Sequence, residues 1–284
     1  MFVRDKNKKD EVSASSFLFP VTNVTRKRFW NIILKLSVSL HYKMEQETNS
    51  LKQTARLAGL FYLLQVLTIG FNLGYVRSTL IVAGDAAATA ANITANESLF
   101  RMAMASNIIS QIFLFFFGLT VFKLFKDFNK TLATFFLTSL LLSVGIAVVN
   151  SINNFAALLV LSNADYLKAF QPEQLKALMM IFLKMSNSGV GFFEVFSGLF
   201  LISLGLLLIK SRYIPRILGI LLVIGGCWFQ INTFTKILIP QFYPAMITQL
   251  TMLFNALGGI PLIFWLLTKG VNEQQQINED ENRI

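Results

Sequence analysis

Six apolar blocks, each long enough to cross the hydrocarbon core of a bilayer, constrain the fold of this sequence most. A helix rises 1.5 Å per residue and needs about 20 apolar residues to cover roughly 30 Å. Of 284 residues, 54% are hydrophobic and 14% are charged, which is atypical of a soluble domain. The sequence therefore predicts an all-α, polytopic transmembrane bundle of six helices. The blocks run from Leu57 to Tyr75, Leu99 to Phe122, Thr131 to Asn154, Asn187 to Ile209, Ile217 to Ile239 and Ala245 to Thr268.

The blocks lie in a membrane domain that we predict over residues 52–270. Residues 1–51 mix basic, polar and short apolar stretches, and we expect them to be weakly structured. A basic amphipathic helix over residues 29–40 is the alternative interpretation, and Met44 is a candidate alternative start. Residues 271–284 form a polar C-terminal tail.

Basic residues predict the orientation and the main partner. Of the 25 Lys and Arg, 11 precede residue 57 and most others flank apolar blocks, which favours a lipid bilayer over nucleic acid as the partner. If both ends are cytoplasmic, nineteen basic residues lie inside and six outside. We therefore expect an inner (plasma) membrane protein with cytoplasmic termini. Protein partners cannot be inferred from the sequence.

The two long outward connections carry helical signals of their own. Asp85 precedes the alanine-rich AAATAANITANE and is the expected N-cap of a short helix. Pro172 and Glu173 open a stretch with apolar residues at helical spacing from Leu175 to Phe182. We expect two short surface helices on the outer side.

Intramembrane amides and charges gather in the outer half of the predicted spans, while the inner half is apolar. An amide that faces lipid alone costs several kcal/mol, so these groups should turn toward one another or toward water. They predict a polar chamber, although simple hydrogen bonds between helices are an equal alternative. The candidate chamber residues are Asn72, Arg77, Arg101, Asn107, Asn150, Asn153, Asn154, Glu194 and Asn232.

Glu194 is the one acid placed inside the hydrocarbon region and needs a partner there. Arg77, Arg101 and Lys184, all on the same side, are the candidate ion-pair partners. A protonated Glu194 hydrogen-bonded to an Asn, which could couple protons or bind a cation, is the alternative.

Motifs for cofactors or catalysis are scarce. Cys227 and His41 are the only residues of their types, so the sequence lacks the residues for an intrachain disulfide, a zinc site or a pair of haem ligands. GxSxG, HExxH, GxxxxGK[ST] and GxGxxG are absent. We expect no cofactor and no metal. A GxxxG pair at Gly70 and Gly74 predicts close helix packing in the first span.

Several segments resemble a bacterial family of multi-pass membrane proteins that is named only as a domain of unknown function. They are ARLAGLFYLL, VRSTLIVAGDAAATAANI, NESLFR, LSNADYLKAFQPEQL and PRILG. The resemblance covers about residues 52–270 and implies a bacterial inner membrane, but it supplies no activity and no functional residues.

The leading functional hypothesis is a non-enzymatic protein whose chamber binds or passes a small solute or lipid headgroup. A membrane-embedded lipid transferase or hydrolase is the second, with Glu194 as acid or base and Arg77 and Arg101 on phosphate. A scaffold or sensor subunit, in which the polar groups only hold helices together, is the third.

Overall fold

A computed structural model describes residues 23–211, 213–239 and 245–271. Its regular structure is entirely helical within these ranges. The chain divides into two units, Met1–Asn49 and Ser50–Ile284, and the second contains every membrane-length helix described below. The helices are α1 (Asn23–Gly70), α2 (Arg77–Leu80), α3 (Ala86–Ala95), α4 (Glu97–Phe125), α5 (Lys130–Asn150), α6 (Ile152–Val160), α7 (Pro172–Ser211), α8 (Arg216–Leu238) and α9 (Ala245–Thr268).

The six crossings predicted from the sequence are confirmed as six helical stretches that are long and apolar enough to span a membrane. Each of the first four extends past the apolar block that identified it. Hydropathy reports where lipid can lie, whereas a helix continues until capping or a breaker ends it. The stretches are Ser50–Leu80, Glu97–Phe125, Lys130–Val160, Pro172–Ser211, Arg216–Leu238 and Gln249–Thr268.

Two segments differ from the sequence-based expectation. Residues from Asn23 to Asn49, expected to be weakly structured, are helical, and no Gly or Pro occurs between Asn23 and Ala58 to stop a helix. The second predicted surface helix is wrong as a separate element. It forms the first turns of α7, a single helix of 40 residues that passes through the polar run before Gly191 without a break.

The first predicted surface helix corresponds to α3, which packs against other elements. Asp85 lies at its N-cap, and Asp85 Oδ1 accepts a hydrogen bond of 2.8 Å from the Ala88 amide. Ala90 and Ile93 are buried with Met179 and Leu183 of α7. The two outward connections therefore share one apolar cluster, here called the cap cluster. Its buried members are Val76, Leu80, Ala90, Ile93, Phe100, Ala103, Met104, Ala157, Leu158, Met179 and Leu183.

Replacing the side chain that caps α3, Asp85, or the one that caps α5, Asn129, is expected to cost about 1 kcal/mol of stability. Asn129 caps α5 as Asp85 caps α3, since Asn129 Oδ1 accepts a 3.0 Å hydrogen bond from the Leu132 amide. Thermal unfolding in detergent should show a loss of stability for Asp85→Ala and for Asn129→Ala. Asn96 precedes α4 without a side-chain cap bond, so Asn96→Ala is the control and should change stability by less than about 0.5 kcal/mol. Equal losses for all three would contradict the capping role.

A second, larger apolar cluster fills the opposite end of the bundle and is here called the plug. It contains Phe117 and Phe125 of α4, Phe136 of α5, and Leu204 and Leu207 of α7, each at most 2% exposed. The first span joins the plug through aromatic stacking. Tyr62 stacks on Phe117 with ring centroids 4.7 Å apart, and Phe61 stacks on Phe116 at 5.4 Å. Residues of α8 and α9 also belong to it, so the plug joins all six spans at this end.

Helices α7 and α8 approach each other at backbone distance through glycines spaced seven residues apart. A Cβ added at Gly205 would lie 2.5 Å from the Gly219 carbonyl oxygen, and one added at Gly226 would lie 2.6 Å from the Gly198 oxygen. Gly191 meets the Thr233 methyl group in the same series. Such small-residue contacts are how membrane helices pack without a hydrophobic driving force between them. The resulting pair forms the central part of the bundle.

Candidate functional site

A cavity of about 1000 Å³ lies between the plug and the cap cluster. Successive spans run antiparallel, and each contributes residues from the same end of the bundle. The first span lines the cavity from Tyr62 to Leu80 and the second from Phe100 to Leu114. The later spans contribute residues within 143–154, 186–201, 229–236 and 251–260. Polar residues that lie far apart in the sequence thus share one space.

The structure brings seven of the nine candidate chamber residues to this cavity. They come from all the spans that carry a candidate, and three more amides that the sequence placed near mid-span line the same space. The seven are Asn72, Arg77, Asn107, Asn150, Asn154, Glu194 and Asn232, and the additional three are Gln65, Gln111 and Asn255.

Two candidates, Arg101 and Asn153, do not line the cavity. Arg101 is exposed, and its Nε donates a 2.7 Å hydrogen bond to Glu97 Oε1, one turn earlier on α4. Asn153 Nδ2 donates to the backbone oxygen of Asn150 at 3.2 Å and to its Oδ1 at 3.0 Å. Asn153 follows the break between α5 and α6 at Ser151, where the helical phase changes, so it points away from the face that Asn150 presents to the cavity.

Glu194 is held by hydroxyl and amide donors on α8. Its Oε2 accepts 3.0 Å from Asn232 Nδ2 and 3.2 Å from Thr233 Oγ1. Among the described residues, none of the three predicted cations forms an ion pair with it. Lys236 lies one turn beyond Asn232 and lines the same cavity. The sequence analysis missed Lys236 as a neighbour of Glu194, although its i, i+4 spacing from Asn232 was a usable signal.

Four of the lining amides also connect neighbouring helices. Asn72 Nδ2 donates to the Ala103 oxygen at 3.0 Å, and Asn107 Nδ2 donates to Ser151 Oγ at 3.0 Å. Asn150 Nδ2 donates to the Ser186 oxygen at 2.8 Å. Asn232 Nδ2 donates to Glu194 Oε2 at 3.0 Å. Both interpretations left open by the sequence therefore apply, since the same amides line the cavity and hold its walls.

Among the amide and cationic side chains of the lining, three that are half-buried form no hydrogen bond or ion pair with any described residue. They are Gln65 and Arg77 of the first span and Asn154 of α6, and all three are half-buried. A half-buried guanidinium without a carboxylate partner is costly unless water or an anion satisfies its five donors. Arg77 therefore stands apart from Arg101, whose partner is Glu97.

The model of a single protein family matches residues 57–270, and its description is Domain of unknown function (DUF4386). This range covers more than half of the chain. The chain belongs to the DUF4386 family. No curated protein and no solved structure matches it. The match confirms the resemblance to a domain of unknown function, which was predicted over about residues 52–270.

In this DUF4386 chain a π-helical turn over Phe71–Val76 interrupts the first span beside the cavity. Such turns are frequent at functional sites because they rotate the residues that follow out of the regular helical phase. Asn72 lies within it and reaches α4, and Arg77 follows directly after it. No sequence signal that we recognised predicted this turn.

The charged and polar side chains that line the DUF4386 cavity favour a ligand that has an anionic group and further polar groups. Two cations, Arg77 and Lys236, face the same space as one carboxylate, Glu194, whose Oε2 accepts two hydrogen bonds from α8. Guanidinium and ammonium groups bind carboxylate and phosphate through charge-assisted hydrogen bonds. No group of three or more His, Cys, Asp or Glu suited to a metal ion occurs in the described ranges.

Proposed function

We propose that this multi-pass membrane protein binds the anionic group of a small solute or lipid headgroup in the cavity between plug and cap cluster. Arg77 is the observation that carries the proposal, because its guanidinium lines the cavity and has no protein partner in the described chain. A phosphate or carboxylate would supply the missing acceptors. The neighbouring amides would hold the polar remainder of the ligand.

The charge of the lining supports an anion over a cation. Glu194 accepts two hydrogen bonds from α8 and shares the cavity with Lys236, so one of the two lining cations balances the one lining carboxylate. The charge of Arg77 then remains without an opposite charge to balance it among the described lining residues. In the proposed orientation, with cytoplasmic termini, the cavity lies in the outer half of the bacterial inner membrane, where this sequence has few basic residues.

The proposal is tested by titrating purified protein in detergent with glycerol 3-phosphate and following its melting temperature. A ligand that binds only the folded protein stabilises it in proportion to the logarithm of its concentration over its Kd. We expect stabilisation of the unmodified protein and about ten-fold or more weaker binding by Arg77→Gln, which loses a charged hydrogen bond.

Arg101→Gln is the matched control, since Arg101 lies outside the cavity and pairs with Glu97. It should respond to glycerol 3-phosphate as the unmodified protein does. Elution of each variant as a single species in gel filtration separates lost binding from lost folding. Equal responses from Arg77→Gln and the unmodified protein, or no response from either, would reject the proposed function.

A further inference from the structure

The cavity has an opening along the side of the bundle, between the first and last spans. Most of its lining residues are buried or half-buried, and five are exposed. Four of the five lie on these two spans: Gly70 and Leu73 on the first, Ala256 and Ile260 on α9. Leu73 and Ile260 are 49% and 46% exposed although both line the cavity. The opening is therefore apolar and faces the region where lipid lies.

The two spans touch near the plug and separate toward the cavity. A Cβ added at Gly59 would lie 2.9 Å from Leu266 Cβ, and one added at Gly259 would lie 2.7 Å from Tyr62 Oη. At Gly70 and Gly74, two to three turns further along the first span, an added Cβ would meet no atom of the described chain within 4 Å. The opening between the first span and α9, here called the gap, thus begins just beyond Tyr62.

The first span is also the least enclosed of the six. Only 11% of its most apolar window is buried, compared with 50% for the span formed by α7. The plug and the cap cluster place buried apolar side chains at the two ends of the cavity. A ligand that arrives from the membrane would therefore meet the side opening before it meets either end.

Resting on the proposed function, we propose that the ligand is an anionic membrane lipid. Its headgroup lies among Arg77, Lys236 and the cavity amides, and its acyl chains leave between the first span and α9 into the bilayer. The charges fit the headgroup, and the exposed apolar residues of the gap fit methylene chains. Chains that leave through the gap stay in lipid, so the cavity has to enclose the headgroup alone.

Two probes separate the headgroup from the chains: glycerol 3-phosphate, which has no chain, and dioleoyl phosphatidic acid. Binding of each is measured on the full chain in detergent, by melting temperature and by native mass spectrometry. Ala256→Trp places a large ring in the gap. Leu257→Trp is its control, because Leu257 is exposed on the same helix but does not line the cavity.

We expect Ala256→Trp to weaken phosphatidic acid binding by about ten-fold or more while glycerol 3-phosphate binding stays unchanged. Leu257→Trp should bind both probes normally, and Arg77→Gln should lose both. Normal phosphatidic acid binding by Ala256→Trp would overturn the lipid route but leave the anion site intact. Equal losses in both Trp variants would overturn it as well. If Arg77→Gln binds both probes normally, the proposed function itself fails.

Discussion

Replacing Gly205 by Ala is expected to lower the free energy of unfolding by about 1–3 kcal/mol, and replacing it by Leu should lower it further. The added Cβ would lie 2.5 Å from the Gly219 oxygen and 3.0 Å from the Val223 amide nitrogen, so the two backbones must move apart. Separating them weakens the close packing that holds membrane helices together. Unfolding in detergent by SDS titration measures the loss.

Gly145 supplies the matched control for this variant. It lies within α5, is exposed, and an added Cβ would meet nothing within 4 Å in the described chain. Gly145→Ala and Gly145→Leu should therefore leave stability within about 0.5 kcal/mol of the unmodified protein. Similar losses at both positions would contradict the backbone contact as the cause at Gly205, because helix propensity alone favours Ala over Gly in a helix interior.

Thr233→Val is expected to destabilise the protein by about 1.5–3 kcal/mol, the range for a hydrogen bond to a charged group. Val has nearly the shape of Thr, so the change removes the hydroxyl, which lies 3.2 Å from Glu194 Oε2 and, at a longer 3.5 Å, from the Gly191 oxygen. Thr235, two residues further along α8, forms no side-chain hydrogen bond to a described residue. Thr235→Val should therefore have an effect smaller than about 0.5 kcal/mol.

A double-mutant cycle assigns that loss to Glu194. In a Glu194→Gln background the bond from Thr233 joins two neutral groups, and its loss should cost only about 0.5–1.5 kcal/mol. The difference between the two backgrounds measures the contribution of the carboxylate. If Thr233→Val costs the same in both, Glu194 is not charged in the folded protein or the bond does not matter.

The number and position of the spans could be predicted from the sequence because lipid imposes a length and a composition on each of them. The ends of the helices and the structure of the connections could not be predicted in the same way. The joining of the predicted surface helix at Pro172 to the fourth span depends on whether a polar stretch stays helical. There, Gly189 packs against the side chain of Asn150, and this tertiary contact is invisible in the local sequence.

The polar end of the bundle followed from counting the depth of each amide, but the exact lining did not. The depth of a residue in the membrane gives its position along the helix axis. Whether its side chain lines the cavity also depends on its direction around that axis. The angle changes at the π-helical turn before Arg77 and at the break at Ser151. Arg101 lies outside the cavity, paired with Glu97, whereas Lys236 lines it without having been a candidate.

Glycine spacing illustrates the same limit. Gly70 and Gly74 form the GxxxG pair that the sequence offers for close packing, yet a Cβ at either would meet nothing within 4 Å in the described chain. The contacts occur at Gly198 and Gly205, whose seven-residue interval is matched by Gly219 and Gly226 on α8. Only the pairing of two intervals reveals this interface, and neither interval is distinctive alone.

The paired glycines also limit how the protein can change shape. Ile202 and Ile209 already lie against Gly226 and Gly219, so sliding α7 by one turn along α8 would drive bulky side chains into a neighbouring backbone. Helices α7 and α8 therefore keep a fixed position relative to each other. Of the remaining spans, the first has the smallest buried share, so its movement would break the fewest buried contacts if the cavity widened or narrowed.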